Sequence, residues 1–420
     1  MKIVHIGPPL GRTGGPAGYL YELARAAQSR GWQQHDVILP PPAAASTAAA
    51  PLSRASQYLR RLRLHFIGPP RRYRPSAVDL AAHGGIVDAN MQRTQADAIR
   101  EAHATIAHGL ATPGADVLFT HDMFCAEHLL EQRHAHQQVW LLLHSPMPLA
   151  LYLAWNWGNP EHDWRAILDL PDVRAWVTRE LGLCARVDRI FVPCAEAIEE
   201  LTRADARFAP VLARAEYLLS GAARPASPQP ASDHAQLRRR WRLPLDQPVG
   251  LFLGNAQPYR GLDVLLGALD RIPRGIIAVA GPAVESLPFH RRLRALGRVD
   301  DVAGLLAAVD FVINVNRFSL FDLSTIEATE AGKPLLLHAV GGNKTFRTLG
   351  AGCVMLNDLE VSTVAAGLRD IFTMEADQLR RLGEASQACY AAHLTPAHLW
   401  ERHLQLYNTA RSTARRVGTA

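Results

Sequence analysis

The sequence predicts an α/β protein with two doubly wound, Rossmann-like parallel-sheet domains, because short apolar strands alternate with helical patterns in two successive sets. The first set begins at Lys2 to Ile6 and the second at Val249 to Leu253, and a glycine-containing loop follows each of these strands. Continuous apolar strands separated by helices are typical of parallel sheets that are buried on both faces. The length of 420 residues is sufficient for two such domains, each with its own core.

Each set contains further strand candidates. In the first set they are DVILP, ADVLFTH, VWLLLHS and RIFVP, and in the second set GIIAVAG, DFVINVN and PLLLHA. Between the sets, Ala222 to His234 is rich in Pro, Ala and Ser, a composition typical of a linker. The predicted boundaries are therefore 1–221 for the first domain, 222–236 for the linker, 237–395 for the second domain and 396–420 for a terminal helix.

The composition excludes several broad classes of protein. With 48% hydrophobic and 20% charged residues, the chain is neither disordered nor collagen-like as a whole. No apolar run approaches the roughly 18 residues of a membrane span, and the apolar start at Lys2 to Ile6 is too short for a secretory signal. Five scattered cysteines without a CxxC pair argue against a disulfide framework or a zinc site. We therefore expect a cytoplasmic protein without a bound metal.

One stretch departs from the alternation of strands and helices. Residues 41–78 contain seven arginines and no acidic residue, so the rest of the chain carries 38 basic against 39 acidic residues. We interpret about 40–76 as a basic insertion in the first domain that accounts for the formal net charge of +6. Four apolar residues lie among its arginines in a pattern that permits an amphipathic helix: Leu59, Leu62, Leu64 and Phe66.

This insertion has two interpretations. A basic amphipathic helix binds an anionic membrane surface, and each basic side chain near that surface contributes about 1 kcal/mol. The alternative is a solvated insertion without a partner. The first interpretation predicts peripheral association with the inner membrane face, and neither makes nucleic acid an expected partner.

A glycine-rich loop follows the first strand. Gly14, Gly15 and Gly18 lie between that strand and a helical pattern, which lets the backbone approach a ligand closely and places a helix N-terminus beside it. The loop lacks the GxGxxG fingerprint, and Asp36 precedes the second strand rather than following it as a ribose-binding carboxylate would. Dinucleotide binding is therefore a weaker alternative, and a purely structural tight turn is another.

The second domain contains a denser group of candidate residues. After the strand DFVINVN, the segment Phe321 to Ser324 begins a helix whose backbone N–H groups face the carboxyl edge of the sheet, where ligand phosphates usually bind. Glu327, one turn further, is placed either to accept hydrogen bonds from ligand hydroxyls or to complement the helix dipole. Arg260 follows the first strand of this domain and is either a diphosphate ligand or a surface arginine.

The segment Ser319 to Pro334, SLFDLSTIEATEAGKP, resembles the donor-binding segment of GT-B glycosyltransferases of family 4, E-x-F-G-L-x-x-L-E-A-x-A-x-G-x-P. Other segments resemble that family in the same order: GGPAGYLYELA, ADVLFTH, RVDRIFVP, YRGLDVLLGAL and RVDDVAGLLAAVDFVINV. The resemblance covers nearly the whole chain except the insertion and an aromatic stretch near Trp155. It implies that the two domains face a cleft and that the terminal helix, with Trp400 and Tyr407 at its aromatic positions, crosses back onto the first domain.

The resemblance also implies roles for residues of the first domain. Gly14 and Gly15 would line the cleft under the donor phosphate. His121 would be a catalytic cleft histidine that contacts the donor sugar or orients the acceptor, although a satisfied histidine at a strand end is the structural alternative. His144, at the end of the next strand, is a second candidate of the same kind.

In the second domain, the resemblance implies a site for a nucleotide diphosphate sugar, with no other cofactor. Arg260 would bind the diphosphate, Glu327 would bind the ribose, and Val299 would flank the base. The backbone amides of the helix start would hold the diphosphate and the sugar hydroxyls; these are the amides of Phe321, Asp322 and Leu323.

Two residues depart from the family pattern. Ser319 occupies the position of the first carboxylate of the E-x7-E pair, and Asn255 occupies the position of an arginine after the first strand of the donor domain. The loss of that arginine removes a charge-assisted hydrogen bond worth up to about 3 kcal/mol. Asp322 stands where the family has glycine and is a candidate substitute carboxylate, and Arg317 is a candidate for the missing positive charge.

The family's chemistry implies transfer of a sugar, with retention, from a nucleotide diphosphate sugar to a glycan, lipid-linked or protein acceptor, in bacterial polysaccharide or glycoconjugate synthesis. The absence of a DxD sequence predicts that no metal is required. Ser319 and Asn255 leave open a catalytically weak or inactive GT-B protein that acts as a binding or scaffolding partner. A GT-B epimerase or phosphorylase is a further alternative, and a dehydrogenase a more distant one. The tryptophans near Trp155 either stack on an acceptor sugar or pack a helical hairpin.

Overall fold

The computed structural model describes residues 1–10, 15–31, 37–41, 77–157, 163–223, 233–282, 284 and 287–417. These residues form two six-stranded sheets in which the strands are parallel. The predicted fold class, two doubly wound parallel sheets, is therefore confirmed. Gly14, almost all of the basic insertion, and residues 224–232 of the predicted linker lie outside the described residues.

The first sheet has the strand order β2-β1-β3-β4-β5-β6. Its strands are β1 (Lys2–Ile6), β2 (Val37–Ile38), β3 (Ala115–Thr120), β4 (Gln138–Leu142), β5 (Arg189–Val192) and β6 (Glu216–Tyr217). Its helices are α1 (Gly15–Ser29), α2 (Ala77–Ala111), α3 (Met123–Gln132), α4 (Leu149–Trp157), α5 (Trp164–Leu168), α6 (Pro171–Arg186), α7 (Glu196–Ala204) and α8 (Phe208–Leu212).

The second sheet has the strand order β12-β11-β10-β7-β8-β9. Its strands are β7 (Val249–Leu253), β8 (Ile276–Ala280), β9 (Leu293–Gly297), β10 (Phe311–Asn314), β11 (Leu335–His338) and β12 (Cys353–Leu356). Its helices are α9 (His234–Arg240), α10 (Leu262–Ala268), α11 (Val302–Ala308), α12 (Leu323–Glu330), α13 (Gly342–Thr348), α14 (Val361–Thr373) and α15 (Ala376–Cys389). Short 3-10 turns at Pro258–Arg260 and Leu269–Arg271 complete this unit.

The central strands match the apolar runs that the sequence shows, because both of their faces are covered by helices. In β8 all five residues, Ile276–Ala280, are buried. The strands that the apolar pattern did not indicate are β6, β9 and β12, which pair with one neighbour only and lie at sheet edges. An edge strand carries a weaker apolar signal because it has less surface to bury.

In each sheet, one pair of neighbouring strands is a topological switch point, where consecutive crossovers run in opposite directions. The order of the first sheet places this point between β1 and β3, and the order of the second places it between β7 and β10. Ligands of open α/β sheets bind at the carboxyl ends of such strand pairs. A ligand is therefore expected to bind between the loops that follow these four strands.

The chain ends in a long helix, α16 (Pro396–Val417), which follows a π-helical turn at Tyr390–Leu394. Its buried residues Leu399, Trp400 and Tyr407 belong to one apolar cluster with Tyr19 of α1 and Phe119 of β3. The terminal helix thus packs on the first sheet's layer of helices. None of the helices in the described ranges has the length and apolar character needed to cross a membrane.

Candidate functional site

A cavity of about 520 Å³ lies between the carboxyl edges of the two sheets. Its walls come from both units, so the two switch points face each other across it. Seven of the predicted site residues line it: Gly15, His121, Asn255, Arg260, Phe321, Asp322 and Leu323. His144 lines it as well. The topology therefore brings together most of the residues that the sequence singled out.

Three predicted site residues do not line the cavity. Ser319 is 0% exposed, and its hydroxyl donates a hydrogen bond to Asn343 Oδ1 at 2.9 Å. Ser319 was a catalytic candidate because it occupies the position of the family's first carboxylate, but in this arrangement its side chain lies behind the wall and does not face the cavity. Glu327 is half-buried one turn inside α12, and Val299 is half-buried after β9, so neither contacts the cavity in this arrangement.

The wall contributed by the second sheet, here called the charged wall, centres on an ion pair. Arg260 Nη1 donates to Asp322 Oδ2 at 3.0 Å, and the two side chains are 16% and 18% exposed. The same oxygen accepts hydrogen bonds from Asn314 Nδ2 at 2.9 Å and from Asn316 Nδ2 at 2.6 Å. Burial alone would lower the pKa of Arg260, but Asp322 beside it holds that pKa above its usual value. Asp322 is thus a fixed carboxylate, and Arg260 is a cation held at the cavity wall.

A helix N-terminus adds partial positive charge to the charged wall. Asp322 is the N-cap residue of α12, and its side chain makes no capping hydrogen bond. The first backbone N–H groups of a helix lack partners within the helix and favour an anion. Because Phe321, Asp322 and Leu323 line the cavity, the start of α12 lies beside Arg260.

The position of this loop depends on a close backbone approach. A Cβ atom at Gly341, which has φ of +44°, would lie 2.0 Å from the carbonyl oxygen of Ser319, and one at Gly342 would lie 1.7 Å from that of Leu320. The Gly342 N–H donates to the Ser319 carbonyl at 2.9 Å. The two glycines of the GGNK turn therefore hold the loop that leads into α12.

The remaining charged candidates behave differently. Arg317 donates to Asp263 from both terminal nitrogens, at 2.7 and 2.6 Å, and it does not line the cavity. Arg317 therefore does not replace the arginine missing at Asn255. Asn255 itself lies on the wall, where its Oδ1 accepts a hydrogen bond from the Gln257 N–H at 3.4 Å.

The wall contributed by the first sheet, here called the neutral wall, is lined by the uncharged histidines His121 and His144. His5 lies directly behind them, and we call these three residues the histidines of the neutral wall. His144 Nε2 and His121 Nδ1 are 3.0 Å apart, and His121 Nε2 and His5 Nδ1 are 2.9 Å apart. Burial lowers the pKa of His5 and of His144 to about 3, and lowers the pKa of His121 well below its usual value. All three rings are neutral at physiological pH.

The hydrogen bonds also divide the roles of the two predicted histidines. Both ring nitrogens of His121 are engaged by other histidines, and the residue is 2% exposed. His144 is half-buried in the cavity wall, with its Nδ1 not engaged by any residue of the described ranges. His144 therefore has a ring nitrogen available to a ligand, whereas His121 uses one ring nitrogen to bind His144 and the other to bind His5.

Local capping fixes the end of β3 where His121 lies. Asp122 is the N-cap of α3, and its Oδ1 accepts hydrogen bonds from the Phe124 N–H at 2.8 Å and the Cys125 N–H at 3.1 Å. The chain turns from strand to helix at this point, which leaves His121 at the sheet edge. Burial raises the pKa of Asp122, although the two amides oppose that effect.

Several residues of the cavity wall carry no signature in the sequence. Tyr19, Tyr152, Tyr259 and Glu180 line the cavity, and no motif marks them. Glu180 Oε2 accepts a hydrogen bond from the Leu149 N–H at 2.7 Å. Burial raises its pKa to about 8, against the effect of the amides that it accepts from. His5 lies behind the wall, and the only sequence feature that marks it is its position as a polar residue among the apolar residues of the strand KIVHI.

The aromatic stretch near Trp155 packs rather than lining the cavity. Trp155 is buried and meets Phe318 edge to face at 6.0 Å between ring centroids, and Trp164 meets the same ring at 5.3 Å. Since Phe318 belongs to the second unit, these tryptophans hold the two units together. Of the two interpretations, packing is the one that the structure shows for Trp155 and Trp164.

Metal-ligating side chains do not cluster in the described part of the chain. No group of three or more His, Cys, Asp or Glu residues there is placed to hold a metal ion. The three neighbouring histidines of the neutral wall bond to one another through their ring nitrogens.

Comparison with known proteins finds a family match within the second unit. Residues 247–373 match the model for Glycosyl transferases group 1. The chain is 29% identical over 197 residues to a D-inositol 3-phosphate glycosyltransferase of Xylanimonas cellulosilytica, over 42% of this chain and 46% of that protein. It is 27% identical over 293 residues to that of Streptomyces coelicolor, over 58% of this chain and 64% of that protein. The alignments thus span about half to two thirds of these relatives.

Solved structures resemble the chain over almost its whole length. A structure of Anabaena Alr3699/HepE in complex with UDP and glucose superposes with a TM-score of 0.58 at 15% identity, covering 97% of this chain and 99% of that one. Sucrose-phosphate synthase from Thermosynechococcus elongatus gives a TM-score of 0.61 at 16% identity, covering 98% and 96%. At such identities the likeness concerns the fold. The resemblance to GT-B glycosyltransferases is thereby confirmed at two levels: residues 247–373 match the group 1 glycosyl transferase model, and the whole chain shares the two-sheet fold of these glycosyltransferase structures.

Proposed function

We propose that the protein is a glycosyltransferase that moves a sugar from a nucleotide diphosphate sugar to an acceptor hydroxyl. The observation that carries this proposal is the cavity between the two switch points, with a cation and a helix N-terminus on one wall and neutral histidines on the other. The similar Anabaena protein binds UDP and UDP-glucose, which supports a nucleotide sugar as the donor.

The charged wall suits the diphosphate. Arg260 and the amides at the start of α12 provide the donors that a diphosphate accepts. These groups are fixed before the ligand arrives, so they stabilise the charge that develops on the leaving nucleotide diphosphate. Such an arrangement needs no metal for this purpose, and we propose that the reaction is metal-independent. Glu327 and Val299 remain proposed contacts of the ribose and the base, which domain closure would have to bring to the ligand.

The neutral wall suits the hydroxyl groups of the transferred sugar and the acceptor. A neutral imidazole donates or accepts one hydrogen bond at each ring nitrogen and adds no charge. We propose that the acceptor, a glycan, a lipid-linked sugar or a protein, enters from this side, and that the transfer retains the anomeric configuration. Synthesis of a bacterial polysaccharide or glycoconjugate is the proposed context.

We further propose that the basic insertion docks the enzyme on the inner membrane face. The proposal comes from the charge and apolar pattern of residues 41–78. Deletion of Ala43 to Arg74 should abolish binding to anionic liposomes and spare binding of the donor; liposome binding that survives the deletion would contradict it.

A donor screen followed by product analysis tests the proposed activity. We expect one nucleoside diphosphate to raise the thermal-unfolding midpoint, since a ligand at 100 times its Kd stabilises by about 2.7 kcal/mol. The matching nucleotide sugar, with an acceptor and with EDTA present, should give a glycoside of unchanged anomeric configuration. An epimerised nucleotide sugar would indicate an epimerase, and a sugar phosphate a phosphorylase. Binding without turnover of any donor would support a binding or scaffolding protein.

A further inference from the structure

Six aromatic side chains form one hydrogen-bonded chain that runs from the cavity into the terminal helix. We call it the histidine–tyrosine chain. Its members, in order from the cavity, are His144, His121, His5, Tyr407, His403 and Tyr19. They come from the ends of β3 and β4, from β1, from α1 and from α16, so the chain joins the neutral wall to the last helix of the protein.

The half of the chain beyond His5 lies in the apolar cluster under α16. His5 Nε2 is 2.7 Å from Tyr407 Oη, Tyr407 Oη is 2.8 Å from His403 Nδ1, and His403 Nε2 is 2.8 Å from Tyr19 Oη. The Tyr407 hydroxyl is therefore the group that links the three histidines of the neutral wall to His403 and Tyr19 by hydrogen bonds. His5 and His403 are fully buried, and Tyr407 is 1% exposed.

Burial keeps every member of the chain neutral. It lowers the pKa of His403 well below its usual value, as it does for the three histidines of the neutral wall, and it raises the pKa of Tyr407 and of Tyr19. A neutral imidazole has one N–H and one bare nitrogen, and a tyrosine has one O–H. Six protons are thus available for five hydrogen bonds.

The direction of these hydrogen bonds follows from Tyr19, whose ring borders the cavity but whose side chain is only 2% exposed. Within the described ranges, the hydrogen-bond partner of the Tyr19 hydroxyl is His403 Nε2. A buried hydroxyl that donates to nothing costs about 1–3 kcal/mol, so Tyr19 must donate to His403. His403 then carries its proton on Nδ1 and donates to Tyr407. The Tyr407 hydroxyl, for the same reason, donates to His5 Nε2.

The rest of the order follows residue by residue. His5 has its proton on Nδ1 and donates to His121 Nε2. His121 then has its proton on Nδ1 and donates to His144 Nε2. The neutral His144 ring is left with its proton on Nδ1, at the cavity. The opposite order would leave the buried Tyr19 hydroxyl without an acceptor and would make His144 Nδ1 an acceptor instead of a donor.

We propose that Tyr407 and His403 of the terminal helix are positioning residues that, through His5, fix the tautomers of His121 and His144. With α16 docked, the cavity faces a His144 N–H donor suited to an oxygen of the sugar or the acceptor. A purely structural contact at this place would be served by apolar side chains, because buried polar groups are costly unless all are satisfied. The part of this inference that concerns turnover rests on the proposed glycosyltransferase function.

The substitution Tyr407→Phe tests the proposal, because it removes the linking hydroxyl and keeps the ring. In nitrogen-15 NMR of histidine-labelled protein, the wild type should show single Nδ1-protonated tautomers for His5 and His121. In the variant these signals should shift or average, since His5 Nε2 has lost its donor. Turnover should fall about tenfold, which is the size of effect found when a metal-binding histidine loses the hydrogen-bond partner that orients it. The Kd of the nucleoside diphosphate should stay unchanged.

Matched variants separate positioning from stability. Leu399→Ala removes a fully buried side chain of α16 that is not a member of the histidine–tyrosine chain. This substitution should lower the stability of the protein and leave the tautomers and turnover unchanged. His403→Leu should reproduce the effect of Tyr407→Phe. His403→Gln should restore turnover in large part, because the amide can accept from Tyr19 and donate to Tyr407.

Two results would overturn the proposal. One is a set of imidazole signals that Tyr407→Phe leaves unchanged, and the other is a loss of turnover in Leu399→Ala equal to that in Tyr407→Phe. The NMR comparison is made on the protein without substrate. If the wild type transfers no sugar, the proposed function fails, whereas the proton order can still be read from the spectra.

Discussion

The two walls of the cavity differ in charge and in the type of polar group that they offer a ligand. The charged wall holds Arg260 and Asp322 as an ion pair that two asparagine amides also contact. The neutral wall has three histidines in a row, each held uncharged by burial. In the function that we propose, the diphosphate lies against the charged wall and the hydroxyl groups lie against the neutral wall.

The walls also differ in how they are held in place. The charged wall depends on the backbone, since Gly341 and Gly342 let the turn before α13 approach the carbonyls of Ser319 and Leu320. The neutral wall depends on side chains that are distant in sequence, such as His5 and Tyr407. One wall is therefore sensitive to substitutions at glycine, and the other to the loss of single polar atoms.

The largest effect that this contrast predicts is on ligand affinity at the charged wall. Arg260→Ala removes the cation at the cavity and leaves the Asp322 carboxylate without its ion-pair partner. Loss of a charge-assisted hydrogen bond costs about 1.5–3 kcal/mol, so the Kd of the bound nucleoside diphosphate should rise about 100-fold. Isothermal titration calorimetry measures this change directly.

Arg317→Ala is the matched control for that experiment. Arg317 is also an arginine paired with an aspartate of the same unit, but its partner Asp263 is exposed and the pair lies outside the cavity. Its removal should change the Kd by less than about twofold, which corresponds to the small value of exposed ion pairs. Equal effects of the two substitutions would break the assignment of the diphosphate to the charged wall.

A smaller effect of opposite sign is expected at the other partner of the ion pair. Asp322→Asn removes a negative charge near the proposed diphosphate, and the new side-chain oxygen can still accept from Asn314 and Asn316. Charges a few ångströms apart at a protein surface interact by a few kcal/mol, and after relaxation we expect binding of the nucleoside diphosphate to tighten about tenfold. Weaker binding would instead show that the carboxylate acts mainly by holding Arg260 in position.

The same substitution addresses catalysis. If Asp322 serves as the substitute for the carboxylate missing at Ser319, turnover of the donor should fall although binding tightens. Unchanged turnover in a steady-state assay would remove Asp322 from the catalytic residues and leave it as a positioning residue for Arg260.

The sequence predicted those site residues whose position follows from topology. Gly15, His121, Arg260 and Phe321 lie in loops at the carboxyl ends of strands next to the switch points, and such loops meet once the strand order is known. The apolar runs were sufficient to find the central strands. The edge strands β6, β9 and β12 were missed because little apolar surface is buried there.

What the sequence could not predict depends on contacts between distant residues. Ser319 turns away from the cavity because its hydroxyl donates to Asn343 in a later turn. His5 and Tyr407 are 402 positions apart, and nothing in either local pattern indicates that they share a hydrogen bond. The neutral state of the histidines depends on burial, which is a property of the assembled fold.

The last prediction concerns stability rather than affinity, at a carboxyl group on the neutral wall, Glu180 of α6. Glu180 is 2% exposed, and burial raises its pKa from 4.5 to about 8. Between these pH values the folded protein holds a proton that the unfolded chain has released. Stability from this group is therefore fully present below pH 4.5 and is lost as the pH rises to about 8, with a slope of about 1.4 kcal/mol per pH unit at most.

Glu180→Gln removes this titration and keeps an oxygen that can accept from the Leu149 N–H. The thermal-unfolding midpoint of the variant, relative to wild type, should therefore rise between pH 5 and pH 8, because only the wild type loses stability there. Glu384→Gln, at an exposed glutamate paired with Arg380, should show no such trend. If the curves of Glu180→Gln and wild type run parallel, then Glu180 is already ionised in the folded protein at pH 5. The neutral wall would in that case carry a charge, and the division of the cavity into a charged and an uncharged half would have to be abandoned.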